Sequence, residues 1–171
     1  MLTTFWGSHY FTPKKGHPFS FLALAMKTII QKILQPKPLG NDLNAALLLL
    51  RVGVALSLFV VHGFKKVTDF AGTVEHIPDP FGIGGYPSAI IAILANVVAA
   101  GLLALGLGTR LAIALILGIT LSGLFIVHAA DPVHIKDVPY MYSLVLLFLL
   151  YVGPGSYSLD WVFFSPKAET K

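Results

Sequence analysis

The sequence predicts an all-α integral membrane protein: a four-helix bundle preceded by an amphipathic helix at the membrane interface. Three observations carry this expectation. Hydrophobic residues fill 56% of the 171 positions, charged residues only 12%, and mean hydropathy is +0.78, so part of the solvent must be lipid. Apolar runs recur at the length a helix needs to cross about 30 Å of hydrocarbon. Lysine and arginine collect on one side of those runs, as they do in oriented membrane proteins. Strands fit poorly, because the runs are rich in Leu, Ala and Gly and lack the alternation of a membrane barrel.

The first 42 residues precede the spans. Within them, positions 19–35 place Leu22, Met26, Ile29, Ile30 and Ile33 on one helical face and Lys27, Thr28, Gln31, Lys32 and Gln35 on the other. Lys27 and Lys32 are the expected contacts to anionic headgroups. Pro36 and Pro38 then end this helix. A secretory signal would also begin with Lys14-Lys15 ahead of Ala23-Leu24-Ala25, but its apolar run is short, which favours the interfacial helix.

The spans are expected over about 43–62, 87–107, 109–128 and 138–153, within a membrane domain of 43–162 followed by a tail of 163–171. The first carries Arg51; the second has no charge; the third ends at His128. The fourth is the shortest, closed by Gly153-Pro154-Gly155 and flanked by Tyr140, Tyr142, Tyr151, Tyr157 and Trp161 as an interfacial belt. Only Gly108 to Arg110 separate the second and third runs, which forces a tight antiparallel hairpin. Lys14, Lys15, Lys27, Lys32, Lys37, Arg110, Lys167 and Lys171 fall on one side. The other side has Lys65, Lys66 and Lys136 with Asp69, Glu75, Asp79, Asp131 and Asp137. Both termini are therefore expected in the cytoplasm of a bacterial or archaeal cell, the spans crossing its plasma (inner) membrane.

The chain has no cysteine, which excludes disulfides, thiolate catalysis, iron–sulfur ligation by this chain alone and Cys-based zinc sites. The net charge of +4 is spread between spans without a nucleic-acid-binding motif, so no nucleic-acid partner is expected. Phe81-Gly82-Ile83-Gly84-Gly85 lacks the strand and lysine of a phosphate loop and is expected to be a flexible lead into the second span, which Pro87 starts.

Arg51 is the most informative residue, because a cation inside a span costs about 2.5–3.5 kcal/mol on insertion scales and cannot shed its proton. It is expected to face the bundle interior. Depth counting puts it about 12 Å, and Asn96 about 16 Å, from the same membrane surface, so the two could meet between neighbouring helices. Asn96 offers a carbonyl but no charge, and the four spans hold no Asp or Glu. The counter-charge is left to the chain ends, a lipid phosphate, a ligand such as a quinone, or another subunit. Snorkelling to headgroups with hydrogen bonds to helix carbonyls is the purely structural alternative.

On the opposite face, His62, His76, His128 and His134 gather with Asp131 and Asp137. No spacing fixes two metal ligands on one helix face, so a solvated polar surface is expected and no metal site. A pH-sensitive partner contact is the other use of these histidines. The glycines and serines of the spans, Ser57 and Ser122 included, are assigned to helix packing.

Leu50-Arg51-Val52-Gly53, His62-Gly63-Phe64-Lys65-Lys66, Gly106-Leu107-Gly108-Thr109-Arg110-Leu111 and Gly153-Pro154-Gly155-Ser156-Tyr157-Ser158-Leu159-Asp160 together resemble the DoxX family over roughly residues 45–161. The resemblance implies a four-helix bundle with cytoplasmic termini and a loose link to membrane oxidoreductases and quinones. Many relatives carry an acidic residue in the middle of the second span. Here Asn96 stands in that stretch and does not titrate, so a carboxylate-dependent role does not carry over. The expected function is an accessory or anchoring subunit of a quinone-linked oxidoreductase complex, not catalytic by itself, with no intrinsic cofactor beyond a bound quinone or lipid. Its partners would be lipid, other membrane subunits or a second copy of the chain. A structural or assembly subunit of another complex is the alternative, and a solute transporter a weaker one, since no broken-helix pair or repeat suggests alternating access.

Overall fold

The computed structural model describes Met26, Thr28 and residues 39–165. The chain divides into two compact units, Met1–Ile33 and Leu34–Lys171. In the first, Met26 and Thr28 are helical and exposed. The remainder of the expected interfacial helix, with Lys27 and Lys32, lies outside the described residues, as does the chain beyond Ser165.

The second unit is all-α, with no strand among the described residues. Among the described residues four helices are long and apolar enough to cross a membrane: Asn41–Thr68, Gly85–Leu105, Thr109–Val127 and Val133–Val152. We call them the first to fourth spans. The first has 28 residues, about 42 Å at 1.5 Å per residue, so it extends past the hydrocarbon. A short helix, Phe70–His76, follows it, and another, Leu159–Phe164, follows the fourth span.

The fourth span begins at Val133, before the apolar run that defines it in sequence, because Pro139 is accommodated inside the helix. Proline there removes only one intrahelical donor. Ser143 Oγ lies 2.7 Å from the Pro139 carbonyl and 2.9 Å from Thr120 Oγ1, tying the third span to the fourth.

Consecutive spans pack closely, first on second, second on third, third on fourth, whereas the fourth meets the first only sparsely. The core is a column of Leu47, Leu58, Leu103, Ile113, Ile116, Leu146 and Leu149, interleaved with Ala55, Ala99, Ala100 and Ala112. Small residues let the backbones approach where lipid supplies no hydrophobic drive between helices. The outward face is as apolar as the core: Leu49, Leu111 and Phe125 are each about 70% exposed or more, a surface stable only against lipid.

Three of the four spans contain a π-helical segment: Leu58–Gly63 in the first, Leu94–Ala99 in the second and Gly123–Val127 in the third. Such segments are rare and concentrate at functional sites. With Pro139 in the fourth, every span is irregular in the half of the bundle away from the 106–108 hairpin. That half is called the loop end, and the other the hairpin end.

Candidate functional site

Two polar centres lie inside the bundle, one at each end. At the hairpin end Arg51 is 0% exposed. Its Nη2 donates to the Tyr157 carbonyl at 2.5 Å and its Nη1 reaches the Leu103 carbonyl at 3.5 Å, while Nε has no partner among the described residues. The buried Asp160 attracts it electrostatically without touching it. Asp160 instead caps the third span, accepting from the Gly108 and Thr109 amides at 2.7 and 2.9 Å, where a helix N-terminus favours negative charge. Its own amide donates to the Gly106 carbonyl at 2.8 Å.

Gly106 explains why this clasp needs glycine. Its φ is 68°, and a Cβ there would sit 1.9 Å from Arg51 Nη1. Asn44 completes the closure: its side-chain amide donates to the Leu39 carbonyl at 2.8 Å and its Oδ1 accepts from the Ser156 amide at 2.7 Å. Three sequence motifs, around Arg51, Gly106 and Asp160, thus meet at one point.

This arrangement corrects one expectation and chooses among the alternatives of another. Arg51 and Asn96 do not pair; the Arg51 partners are carbonyls at the hairpin end and the Asp160 charge. A long helical side chain leans toward its own N-terminus, which carries the guanidinium to the level of Leu103 and Gly106. Asn96 lies seven residues from Leu103, about 10 Å along the second span. The counter-charge comes from the segment after the fourth span, so Arg51 calls for neither a lipid phosphate nor another subunit.

Asn96 belongs to the second centre, a cavity of about 430 Å³ at the loop end. Its walls are mostly apolar, with Leu58, Ile91, Ile119, Val127 and Val138 among them. Its polar groups are His62, Lys66, Ser88, Asn96, Thr120, Ser122, His128 and Tyr142. All three π-helical segments contribute: Leu58 and His62 from the first, Asn96 from the second, Gly123 and Val127 from the third. Pro139 supplies the fourth wall. Asn96 is 5% exposed and lines this cavity with its neighbours. No Asp or Glu lines the cavity, so Lys66 and the histidines set its polarity. Lys66 Nζ donates to the His62 carbonyl, and the His62 ring sets its edge against Tyr142 with centroids 5.7 Å apart.

The other polar residues of this end separate. His128 Nδ1 contacts Asp131 Oδ2 at 2.7 Å beside the cavity. His76 Nδ1 pairs with the Gly72 carbonyl at 2.9 Å on the exposed short helix. His134 is exposed, and Asp137 lines a different, lateral groove. Among the described residues no three His, Cys, Asp or Glu side chains converge as metal ligands. Of four participants of the two centres that sequence reasoning missed, Lys66, Tyr142 and Ser57 carry no sequence signal of their role. Asp160 alone had one, as an acid just past a Ser cap, a common helix start.

The lead into the second span is built rather than loose, and it roofs the cavity through Ile77, Phe81 and Ile83. Asp79 organises it, accepting from the Ile83 amide at 3.1 Å, the Gly84 amide at 2.6 Å and Ser88 Oγ at 2.9 Å. The Gly84 hydrogen bond above all, helped by those from Ser88 and Ile83 and opposed by desolvation, holds the Asp79 carboxyl below the usual carboxylate range. A depressed carboxylate contributes order above its unfolded value of 3.8 and loses it as pH falls through the lower folded value. The contribution of Asp79 to the roof is therefore constant near neutrality and is lost only in acid. Hydrogen exchange of the segment 79–88 should speed several-fold in Asp79→Asn at neutral pH, whereas the wild type reaches that rate only on acidification. Equal exchange in the two proteins at neutral pH would remove Asp79 as the organiser.

Comparison with known proteins gives the same picture as the helices. The DoxX family model matches residues 46–129. The inner membrane protein YphA of Escherichia coli (strain K12) is 32% identical over 123 residues, which cover 67% of this chain and 87% of YphA. The inner membrane protein YqjF of the same organism is 30% identical over 108 residues, 60% of this chain and 81% of YqjF. No solved structure matches the chain significantly.

Proposed function

This chain belongs to the DoxX family, and on that premise we propose that it is an accessory subunit of a quinone-linked oxidoreductase complex in a bacterial inner membrane. In this reading the loop-end cavity receives the quinone head. The cavity is the observation that carries it: apolar walls with a few convergent polar groups, the general form of a small-molecule site. A quinone head is flat, apolar on both faces and presents two carbonyl acceptors. Asn96, Lys66 and Tyr142 supply donors for them. The redox chemistry would reside in a partner, since this chain has no cysteine for thiol exchange or cluster ligation. With both termini in the cytoplasm, as the lysine distribution favours, the cavity lies toward the periplasmic face.

Purification in mild detergent, with identification of co-purifying proteins and extractable quinone, tests this function. Redox subunits and bound quinone are expected. The double variant Lys66→Leu, Asn96→Leu should lose at least about tenfold in bound quinone while still assembling, since two lost hydrogen bonds are worth about that factor or more. The carbonyl partners that Arg51 finds within the chain favour a second reading, a purely structural subunit with no ligand. An unrelated assembly without quinone would decide for it, whereas undiminished quinone in the double variant would place the quinone outside the cavity.

A further inference from the structure

The fourth span does not close against the first, and the gap between them is a lateral groove of about 800 Å³. Leu49, Leu50, Gly53 and Val54 form one wall, and Met141 and Val145 the other. Tyr142 and Val138 line both this groove and the interior cavity, so the two spaces share a wall. At that wall Ser57 Oγ and the Tyr142 hydroxyl hydrogen-bond at 2.5 Å, one of few links between these spans.

We propose that the groove is the hydrocarbon-tail subsite of the ligand whose head occupies the cavity, with Tyr142 at the junction between head and tail. This rests on the ligand-binding function proposed above and specifies its ligand as a single-chain amphiphile with a compact, hydrogen-bond-accepting head. Three features support it. Apart from Asp137, Ser57 and the Tyr142 hydroxyl the groove is apolar and faces the lipid side of the bundle, so a chain lying along Leu49, Gly53, Met141 and Val145 stays solvated by hydrocarbon. It adjoins the cavity at Tyr142, where a tail must leave a head seated against Asn96 and Lys66. Only one side-chain hydrogen bond, Ser57 to Tyr142, has to break for a head to pass in from the bilayer between the spans. A tail gains little free energy by exchanging lipid for the groove, because both are equally apolar. The groove therefore orients the ligand and admits it from the side, and its occupancy is read by labelling.

Gly53 gives a clean test, because it is exposed in the groove and a Cβ there meets nothing within 4 Å. Gly53→Phe plugs the groove without disturbing the core. Gly118→Phe, at an equally open position on the third span, is the control. The protein in nanodiscs would be irradiated with a benzoquinone carrying a ten-carbon chain tipped with a diazirine. Adducts would be mapped with and without an excess of the unlabelled chained quinone. Competed adducts are expected on groove residues such as Met141, reduced at least fivefold by Gly53→Phe and unchanged by Gly118→Phe. Competed adducts elsewhere, or ones indifferent to Gly53→Phe, overturn the tail subsite and leave the quinone function standing. No competed quinone adduct at all overturns the quinone function. The same diazirine chain on a fatty acid then decides the subsite: competed, Gly53-dependent labelling upholds it for another head group, and none overturns it.

Discussion

Asp160→Ala is expected to destabilise the protein by about 3–5 kcal/mol, the cost of removing one partner from a buried charge arrangement. Two contributions add. The amides of Gly108 and Thr109 lose their acceptor at the start of the third span, and Arg51 loses the negative charge that offsets its burial. Arg51 and the Thr109 amide cannot turn to water, because both residues are 0% exposed. Asp160→Asn should lose nearly as much, since one of its two side-chain atoms would present a donor to an amide donor. Asp137→Ala, at an exposed position, should change stability by less than about 0.5 kcal/mol. Thermal unfolding in detergent followed by the fluorescence of the neighbouring Trp161 reads the difference directly. A midpoint for Asp160→Ala close to that of Asp137→Ala would mean that Arg51 is held by the carbonyls of Leu103 and Tyr157 alone.

The clasp also marks the boundary of what is legible in sequence. The four spans are legible because crossing a bilayer demands contiguous apolar length, a property of the chain that needs no knowledge of packing. That Arg51 turns inward follows from the same cost. Its partner does not, because Asp160 lies 109 positions away beyond a chain break at Gly153-Pro154-Gly155, and depth counting along helices reports height without reporting direction. The lean of a long side chain toward its helix N-terminus was enough to exchange Asn96 for Leu103 and Tyr157 as the neighbours of Arg51. The cavity is less legible still. His62, Asn96 and His128 stand out as polar residues, but that they share one space depends on π-helical segments in three spans, which hydropathy cannot register. Asp79 falls in between: its hold on the Gly84 amide and Ser88 is local, yet the glycines that follow it read as looseness rather than as a turn wrapped around a carboxylate.

Gly63→Val should couple fold and site in a single measurement. Gly63 ends the π-helical segment of the first span, and a Cβ there would lie 2.8 Å from the Asn96 carbonyl oxygen and 3.0 Å from Val97 Cγ2. The Asn96 oxygen is backbone within the π-helical segment of the second span, so it cannot swing aside, and the two spans must separate at the height of the cavity. Overpacking of this kind costs about 1–3 kcal/mol. The loss of ligand should be larger than that stability loss implies, because the displacement moves Asn96 and His62, which both line the cavity, directly. Retained quinone is therefore expected to fall at least about tenfold in a protein that still purifies as a folded species, a change of about 1.4 kcal/mol or more at the site. Gly118→Ala, on the third span and facing open space, should leave both quantities within error. If Gly63→Val kept its quinone, the close approach of the two π-helical segments would be a packing accident, and the His62-Gly63 pair would owe its glycine to the helix contact alone.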